Sequence, residues 1–372
     1  MGAPPDTTAP MNALRKPEKG TNRLVLEQVP RPRPRRGWVV LDVRLAGICG
    51  TDLHIVDDEF PSWPPVTLGH EFTGTIHSLG EGVTGWEVGS RVVCEPHSLA
   101  CHRCHLCRRG FAHLCAEKRS PGWGIDGGFA EQVLVSADLL HAVPDSVDDV
   151  AAALVEPLSI VVTAFERMPV PAGGTVLVLG PGPIGILSAL TATAVGAGQV
   201  VLVGRPSSAA RLALAADLGI EVWDSTRLDV PDAAHALTSG RGVDLVVETT
   251  GSAIAEGIGA LRRRGRMCVL GVPGTDLTTV PWGLAMNRAA DIAFSLSSSW
   301  SSWDAALALL SRGAVDPRPV ASVFALDDWE QAFTATRSRT VVKALLEPTR
   351  STTTGARPVP SPATPADHRS RP

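Results

Sequence analysis

The stretch TVLVLGPGPIGILSALTATAV, residues 175–195, limits the possible fold more than any other part of the chain. An apolar β-type run meets three glycines at the spacing G-x-G-x-x-G and continues as an apolar run of helical length. Gly180 permits a tight turn, Gly182 lets the backbone approach a pyrophosphate, and Gly185 lets the helix lie close to the sheet. Pro183 and Ile184 fall between them, at a helix start whose free N–H groups face an anion. With the strand before and the helix after, the spacing predicts a dinucleotide site. QVVLV, RLALAADLG, EVWD, VDLVVE, GRMCVLG and DIAFSL then alternate strand and helix signals, which predicts a doubly wound parallel sheet. Residues 168–204 carry no charged side chain, but eight Gly and four Pro interrupt them, so no membrane-spanning helix fits.

The rest of the chain has a different texture. Short β-rich runs (Leu24 to Val29, Trp38 to Val43, Phe72 to Leu79, Arg91 to Cys94, Phe129 to Val135) are separated by Gly, Pro and Asp turns. After Trp303 come an amphipathic helix, a strand at Ser322 to Leu326, a helix from Asp328 and a strand at Val341 to Leu346. This segment is expected to return to the first unit, giving one domain from 11–159 plus 297–347 and a second from 160–296. Residues 1–10 and 348–372, rich in Pro and Thr and poor in large apolar side chains, are expected to be a disordered leader and tail.

Composition excludes several function classes. A net charge of −4 gives no general pull toward nucleic acid or an anionic membrane, so the expected partners are small molecules. The absence of Tyr removes a phenolic general acid, and with it the short-chain dehydrogenase and aldo-keto reductase mechanisms. Thirty Arg against four Lys, with much Ala, Gly and Pro, read as a GC-rich bacterial genome. Seven Cys without an export signal predict a reduced, cytoplasmic protein whose cysteines are thiols or metal ligands.

Four of those cysteines, Cys101, Cys104, Cys107 and Cys115 in CHRCHLCRRGFAHLC, suit a tetrahedral zinc with every position filled, hence a structural one. An iron–sulfur cluster is the competing reading of C-x2-C-x2-C, though ferredoxins continue x3-C-P. His102, His105 and His113 between them read as solvated loop residues. A second set is dispersed: Cys49, Thr51 and His54 in GICGTDLH, His70 and Glu71 in LGHEFTG, and Glu156 in LVEPLS. One thiolate, one imidazole and one or two carboxylates leave a metal position open, as Lewis-acid catalysis requires. Cys94 and Cys268, in apolar strands, read as inert core thiols.

GICGTDLH, GHEFTGTIHSLGEGV, the four-Cys lobe, GGFAEQVLV, VEPLS, VLGPGPIG and VVKALLEP together resemble the zinc-dependent medium-chain dehydrogenases of the polyol and threonine dehydrogenase group, over residues 11–347. The resemblance implies a GroES-like β-rich catalytic domain beside a Rossmann domain, and a homodimer or homotetramer. It implies a catalytic zinc on Cys49 and His70, with Glu71 and Glu156 ligating directly or through water, their division open. Thr51 would take the substrate's proton and pass it by the nicotinamide ribose to His54. The implied activity is NAD(P)-linked interconversion of a secondary alcohol, such as a polyol or cyclitol, and its ketone. The alternatives are a zinc and nicotinamide enzyme with no net redox change, or a non-catalytic NADPH-binding member.

The second predicted strand ends in Gly204, Arg205, Pro206, Ser207 and Ser208, where NAD enzymes usually place an acidic residue. Arg205, with a Ser hydroxyl or Arg211 assisting, suits a 2′-phosphate, and the small Gly204 leaves room for it, so NADP is expected. Where sugar-alcohol members carry an Arg and a Tyr, this chain has Ser297, Ser298, Ser299 and Trp300, which argues against sorbitol itself. Phe60, Trp63, Phe129 and Trp300 are the candidates for an aromatic pocket.

Overall fold

The structure is a computed structural model that describes residues 9–20, 23–272, 274, 277–348 and 357–358. The glycine-rich stretch sits where the sequence places it. Thr175–Leu179 is a central strand of a six-stranded parallel sheet, followed by the helix Pro183–Ala194 with Pro183 at its first position. The sheet runs, edge to edge, Glu221–Asp224, Gln199–Gly204, Thr175–Leu179, Val243–Glu248, Leu261–Val269 and Asp291–Phe294. Strand order reverses direction between Thr175–Leu179 and Val243–Glu248, and ligands of such sheets bind in the crevice beyond that switch point. The run read as GRMCVLG is the end of a longer strand that starts at Leu261, with a register irregularity near Val243 of its neighbour.

The other unit is an eight-stranded sheet with a three-stranded sheet beside it, in which Val25–Val29, Met11–Lys16 and Val66–Thr67 pair. In the larger sheet Trp38–Gly47 pairs with Glu71–Leu79 and Gln132–Ser136. The C-terminal segment does return here: Lys343–Glu347 pairs antiparallel with Trp38–Gly47, setting Leu345 opposite Gly47 and Leu346 opposite Ala46. Ala321–Ala325 extends the sheet beside it. The expected leader lies outside the described residues apart from Ala9 and Pro10. Of the tail, Arg357–Pro358 is a short strand pairing with Ser322 and Val323. That corrects the tail's assignment for these two residues, since backbone pairing at a sheet edge needs no large apolar side chain. The remaining tail beyond residue 348 lies outside the described residues.

Both core thiols are buried as expected, Cys94 and Cys268 at 1% and 0% exposure. Among the described residues no helix is long and apolar enough to cross a membrane.

Glycine chemistry separates fold from function in the loop. Gly180 has φ 108°, and a Cβ there would lie 2.6 Å from Thr250. A Cβ on Gly185 would lie 1.8 Å from the Gly180 carbonyl oxygen, whereas one on Gly182 would meet nothing within 4 Å. We therefore predict that Gly185→Ala lowers stability by about 1–3 kcal/mol through overpacking. Gly182→Ala is expected to leave the urea midpoint unchanged and to weaken nucleotide binding. Denaturation curves without nucleotide, beside nucleotide titrations, separate the two effects.

Candidate active site and metal centres

The short helix Gly50–Val56 carries the first site residues. Cys49 caps its start, and the Cys49 N–H donates to Asp52 Oδ2 at 2.8 Å. The far end is held by Lys16, fully buried, whose Nζ donates to the carbonyls of Ile55 and Val56 at 2.7 and 3.1 Å and pairs with Asp58. A cation on the last carbonyls complements the helix dipole and fixes the helix against the sheet. Thr51 and His54 are one turn apart on the same face. Thr51 Oγ1 lies 3.7 Å from Cys49 Sγ, and His54 Nδ1 is 2.7 Å from Glu59 Oε2 on an exposed rim.

His70 and Glu71 arrive on the strand Glu71–Leu79 after a turn at Gly69, φ 92°. His70 is buried, with Nδ1 facing Asp52 Oδ1 at 3.7 Å. Burial disfavours its charge, but the neighbouring Asp52 carboxylate and Cys49 outweigh that and raise its pKa. Among the described residues, neither Nδ1 of His70 nor Oδ1 of Asp52 has a hydrogen-bond partner. Glu71 pairs with the buried Lys343, whose Nζ also donates to the Ile48 carbonyl at 3.1 Å. The ligand atoms of Cys49, His70 and Glu71 lie within 4.8 Å of one another, a set that suits a metal ion. Glu156, in the first turn of the helix Val155–Arg167, stands outside that set but close enough to feel it. Burial, and then the charge of Glu71, push its carboxyl up to about 7.

The four-cysteine lobe closes on itself. Cys101, Cys104, Cys107 and Cys115 bring their sulfurs within 4.8 Å, and none is in a disulfide. The Cys104 N–H donates to Cys101 Sγ at 3.4 Å, that of Cys107 to Cys104 Sγ at 3.5 Å, and that of Cys101 to Cys115 Sγ at 3.4 Å. N–H donation from Arg103 and Cys104 brings the Cys101 thiol down to about 6, which favours the thiolate a metal needs. His102 and His105 are exposed, while His113 is only half-exposed and its carbonyl accepts from Lys118 Nζ at 2.6 Å.

At the parallel sheet, Gly180, Gly182, Gly204, Arg205 and Arg211 all line one cleft of about 380 Å3. Gly204 differs from expectation: a Cβ there would meet Pro181 at 2.7 Å and Leu212 at 3.0 Å, so its small size serves packing as well. Arg211 is buried and donates through Nε and Nη2 to the Val341 carbonyl at 3.0 and 2.8 Å.

The aromatic candidates separate. Phe60 stays near the site, edge-on to Trp123 at 5.5 Å, and Trp123 is edge-on to His70 at 5.0 Å. Phe129 is a core residue instead: it packs on Phe333, and its ring fills the space a Cβ on Gly69 would need. Trp63 stacks under Arg119, and Trp300 covers His141. The serine run is also structural. Ser299 caps the helix Trp300–Ser311, and Ser298 accepts from Trp303 Nε1 at 3.0 Å.

Sequence reasoning missed Asp52, Lys343, Trp123, Lys118 and His97. Asp52 and Lys343 lie inside recognised motifs, so the signal was present, whereas nothing local marks the others. His97 is buried with Nε2 on the Ser298 carbonyl at 2.9 Å; burial, and then the charge of Lys118, bring it down to about 3. Its Nδ1 and Ser98 Oγ have no hydrogen-bond partner among the described residues.

Asp52 stands behind His70 as carboxylates commonly stand behind metal-binding imidazoles. Asp52→Asn keeps an acceptor for the Cys49 N–H but removes the charge, and should weaken zinc binding at this site about 10–100-fold. Competition with a chromophoric chelator measures it, and unchanged affinity would remove Asp52 from the metal's surroundings.

Comparison with known proteins agrees with this geometry. The family model described as alcohol dehydrogenase GroES-like domain matches residues 35–145, and that described as zinc-binding dehydrogenase matches residues 183–312. The chain is 34% identical over 342 residues to a sorbitol dehydrogenase of Halalkalibacterium halodurans, covering 91% of this chain and 99% of the relative. It is 35% identical over 350 residues to an L-threonine 3-dehydrogenase of Bacillus subtilis, again covering 91% and 99%. A solved structure from Sinorhizobium meliloti, described as a candidate zinc-binding dehydrogenase bound to NADP, superposes with TM-score 0.84 at 30% identity, over 92% of this chain and 100% of that one. The chain thus belongs to the zinc-containing medium-chain alcohol dehydrogenase family, with a GroES-like domain and a Rossmann domain, and is an NAD(P)-dependent zinc alcohol dehydrogenase.

Proposed function

We propose that this enzyme interconverts a secondary alcohol of a polar metabolite, a polyol, cyclitol or close relative, and its ketone, with NADP as the hydride partner. The observation that carries the reading is the contrast between the two donor sets. Four thiols on one loop fill a metal's positions and make a structural zinc site, whereas Cys49, His70 and Glu71 are three donors with Glu156 beyond them. At the three-donor site bound zinc would act as Lewis acid on the alcohol oxygen, while the nicotinamide takes hydride. Lys343 holds Glu71 Oε2, so the Glu71 carboxylate would be oriented by the lysine when a metal is bound. Glu156, in no ion pair among the described residues, is left to accept a hydrogen bond from a substrate hydroxyl. Thr51 takes the reacting proton, and His54, on the same helix face and at the solvent rim, exports it. Trp123 and Phe60 wall the site.

Retention of every group needed for proton removal and metal binding supports a working dehydrogenase over a binding-only or non-redox member. Arg205 at the end of Gln199–Gly204, with no carboxylate in its place, supports NADP. Seven free thiols suit a reducing compartment, and we place the protein in the cytoplasm. The sheet edge Asp291–Phe294 is open and apolar, with Phe294 66% and Leu296 70% exposed, which supports a homodimer or homotetramer joined there.

Purified enzyme is expected to hold two zinc ions per chain by elemental analysis, and Cys104→Ser to hold one fewer and to lose thermal stability. Nicotinamide absorbance should change with a panel of polyols, cyclitols and amino alcohols for the wild type and stay flat for Cys49→Ala. A wild type that binds nicotinamide and turns over substrate without any absorbance change would favour the non-redox alternative. His54→Ala should lose activity mainly below about pH 8, where hydroxide cannot replace the missing base; an unaltered pH profile would take His54 out of the proton path.

A further inference from the structure

Three guanidinium groups converge on the nucleotide cleft, and one of them comes from outside the Rossmann sheet. Arg205 follows the strand Gln199–Gly204, Arg211 lies in the helix Ala209–Asp217, and Arg339 lies beyond the helix Trp329–Arg337 of the C-terminal segment. The cleft's only carboxylate among the described lining residues is Glu256, which lies near Arg205. None of the three arginines is in an ion pair among the described residues. Arg337, two residues earlier, shows the contrast: both its terminal nitrogens are taken by Asp57, at 2.7 and 2.8 Å.

The three arginines are not equivalent. Arg211 is nine-tenths buried, and two of its donors are taken by the Val341 carbonyl. Burial, and then the nearby charge of Arg339, bring its pKa down to about 10, so Arg211 stays cationic near neutrality and feels the repulsion of Arg339. Arg339 is exposed, in a left-handed turn with φ 60° whose N–H closes the preceding helix on Thr336 at 3.2 Å. The bond from Arg211 to Val341 anchors that turn against the Rossmann unit, so Arg339 is held over the cleft while its guanidinium keeps all its donors. Like charges gathered without a matching anion cost free energy that an incoming dianion offsets. A phosphomonoester near pH 7 carries about −1.5 to −2 charge and three acceptor oxygens.

We infer that Arg339, from the C-terminal segment, and Arg205, from the Rossmann sheet, grip the 2′-phosphate of the adenosine ribose from opposite sides, making Arg339 a specificity-determining residue for the cofactor. This rests on the NADP reading above. A charge-assisted grip from two chain segments also ties phosphate recognition to the strand Lys343–Glu347, which begins four residues after Arg339 and whose first residue holds Glu71.

The test is equilibrium binding to the zinc-loaded enzyme, read by quenching of tryptophan fluorescence by NADPH and NADH and by displacement with 2′,5′-ADP and 5′-AMP. Arg339→Gln, which keeps a Cβ and a similar stem in the left-handed turn, should weaken NADPH and 2′,5′-ADP about tenfold or more while NADH and 5′-AMP change less than about twofold. Arg339→Lys should recover part of the loss, and the wild-type preference should shrink with added salt. Matching melting curves show that the variants fold. Equal weakening of all four ligands, or no weakening in Arg339→Gln where Arg205→Ala loses the preference, overturns the role of Arg339 and leaves the NADP reading standing. A wild type that binds NADH as tightly as NADPH overturns both.

Discussion

The buried pair between Lys343 and Glu71 is the contact on which the arrangement of the site depends. Both side chains are almost completely removed from water, and a charge in that position is tolerated only when paired and hydrogen-bonded. Lys343 meets the second condition through the Ile48 carbonyl, one residue before Cys49. The pair exists because the strand Lys343–Glu347 lies beside Trp38–Gly47 in one register, and because Gly47 has no Cβ, which would sit 2.3 Å from Glu71 Oε2. A slip of one residue would turn Lys343 to the other face and leave Glu71 buried and unpaired. The C-terminal strand is in this way part of the metal site although it brings no ligand.

The two candidate donor sets are assembled in opposite ways. In the cysteine lobe the ligands lie within one loop, and backbone N–H groups of the same loop point at the sulfurs, so local geometry creates most of the site. The other set draws a thiol from a helix start and an imidazole and a carboxylate from a strand start, with a second carboxylate, Glu156, standing outside it on a distant helix. Nothing local holds these together, and the supporting contacts come from Asp52, Lys343 and Lys16. Such a site depends on the whole fold, and it gains an uneven electrostatic field. One carboxylate is neutralised by a lysine, while the other is left with its pKa raised by burial and by its neighbour.

A polar chain, buried at Glu95 and His141 and exposed at Asp304, joins the strand Leu140–Ala142 to the helix Trp300–Ser311. Glu95 Oε1 is 3.0 Å from His141 Nε2, and His141 Nδ1 is 2.8 Å from Asp304, with Trp303 stacked on the imidazole at 5.6 Å. The serine run departs from the sugar-alcohol pattern, and the structure shows what it does instead: it caps a helix and supports His97 and Trp303. His97, held on the Ser298 carbonyl, is neutral across the physiological range.

How far the sequence alone could be read follows from the range of the interactions. The glycine loop, the four-cysteine lobe and the strand alternation are local patterns in which the geometry is set within about twenty residues, and each has its expected form. Cys49, His70 and Glu71 were legible only as members of motifs, and the fold brings them together. What was not legible depends on residues far apart in the chain: Trp123 against His70, Phe129 under Gly69, Arg339 over a cleft built more than a hundred residues earlier. Hydrophobic periodicity treats Phe129 as either core or pocket lining, because both environments select the same side chain. Only the positive φ at Gly69 and the ring beneath it decide the matter, by showing that the aromatic face is used to shape the turn that presents His70. Arg205 could be noticed because a strand end without its usual carboxylate is a local anomaly. Arg339 could not, since an arginine in a surface turn is ordinary until the fold sets it beside two others in a cleft whose described lining holds a single carboxylate, Glu256.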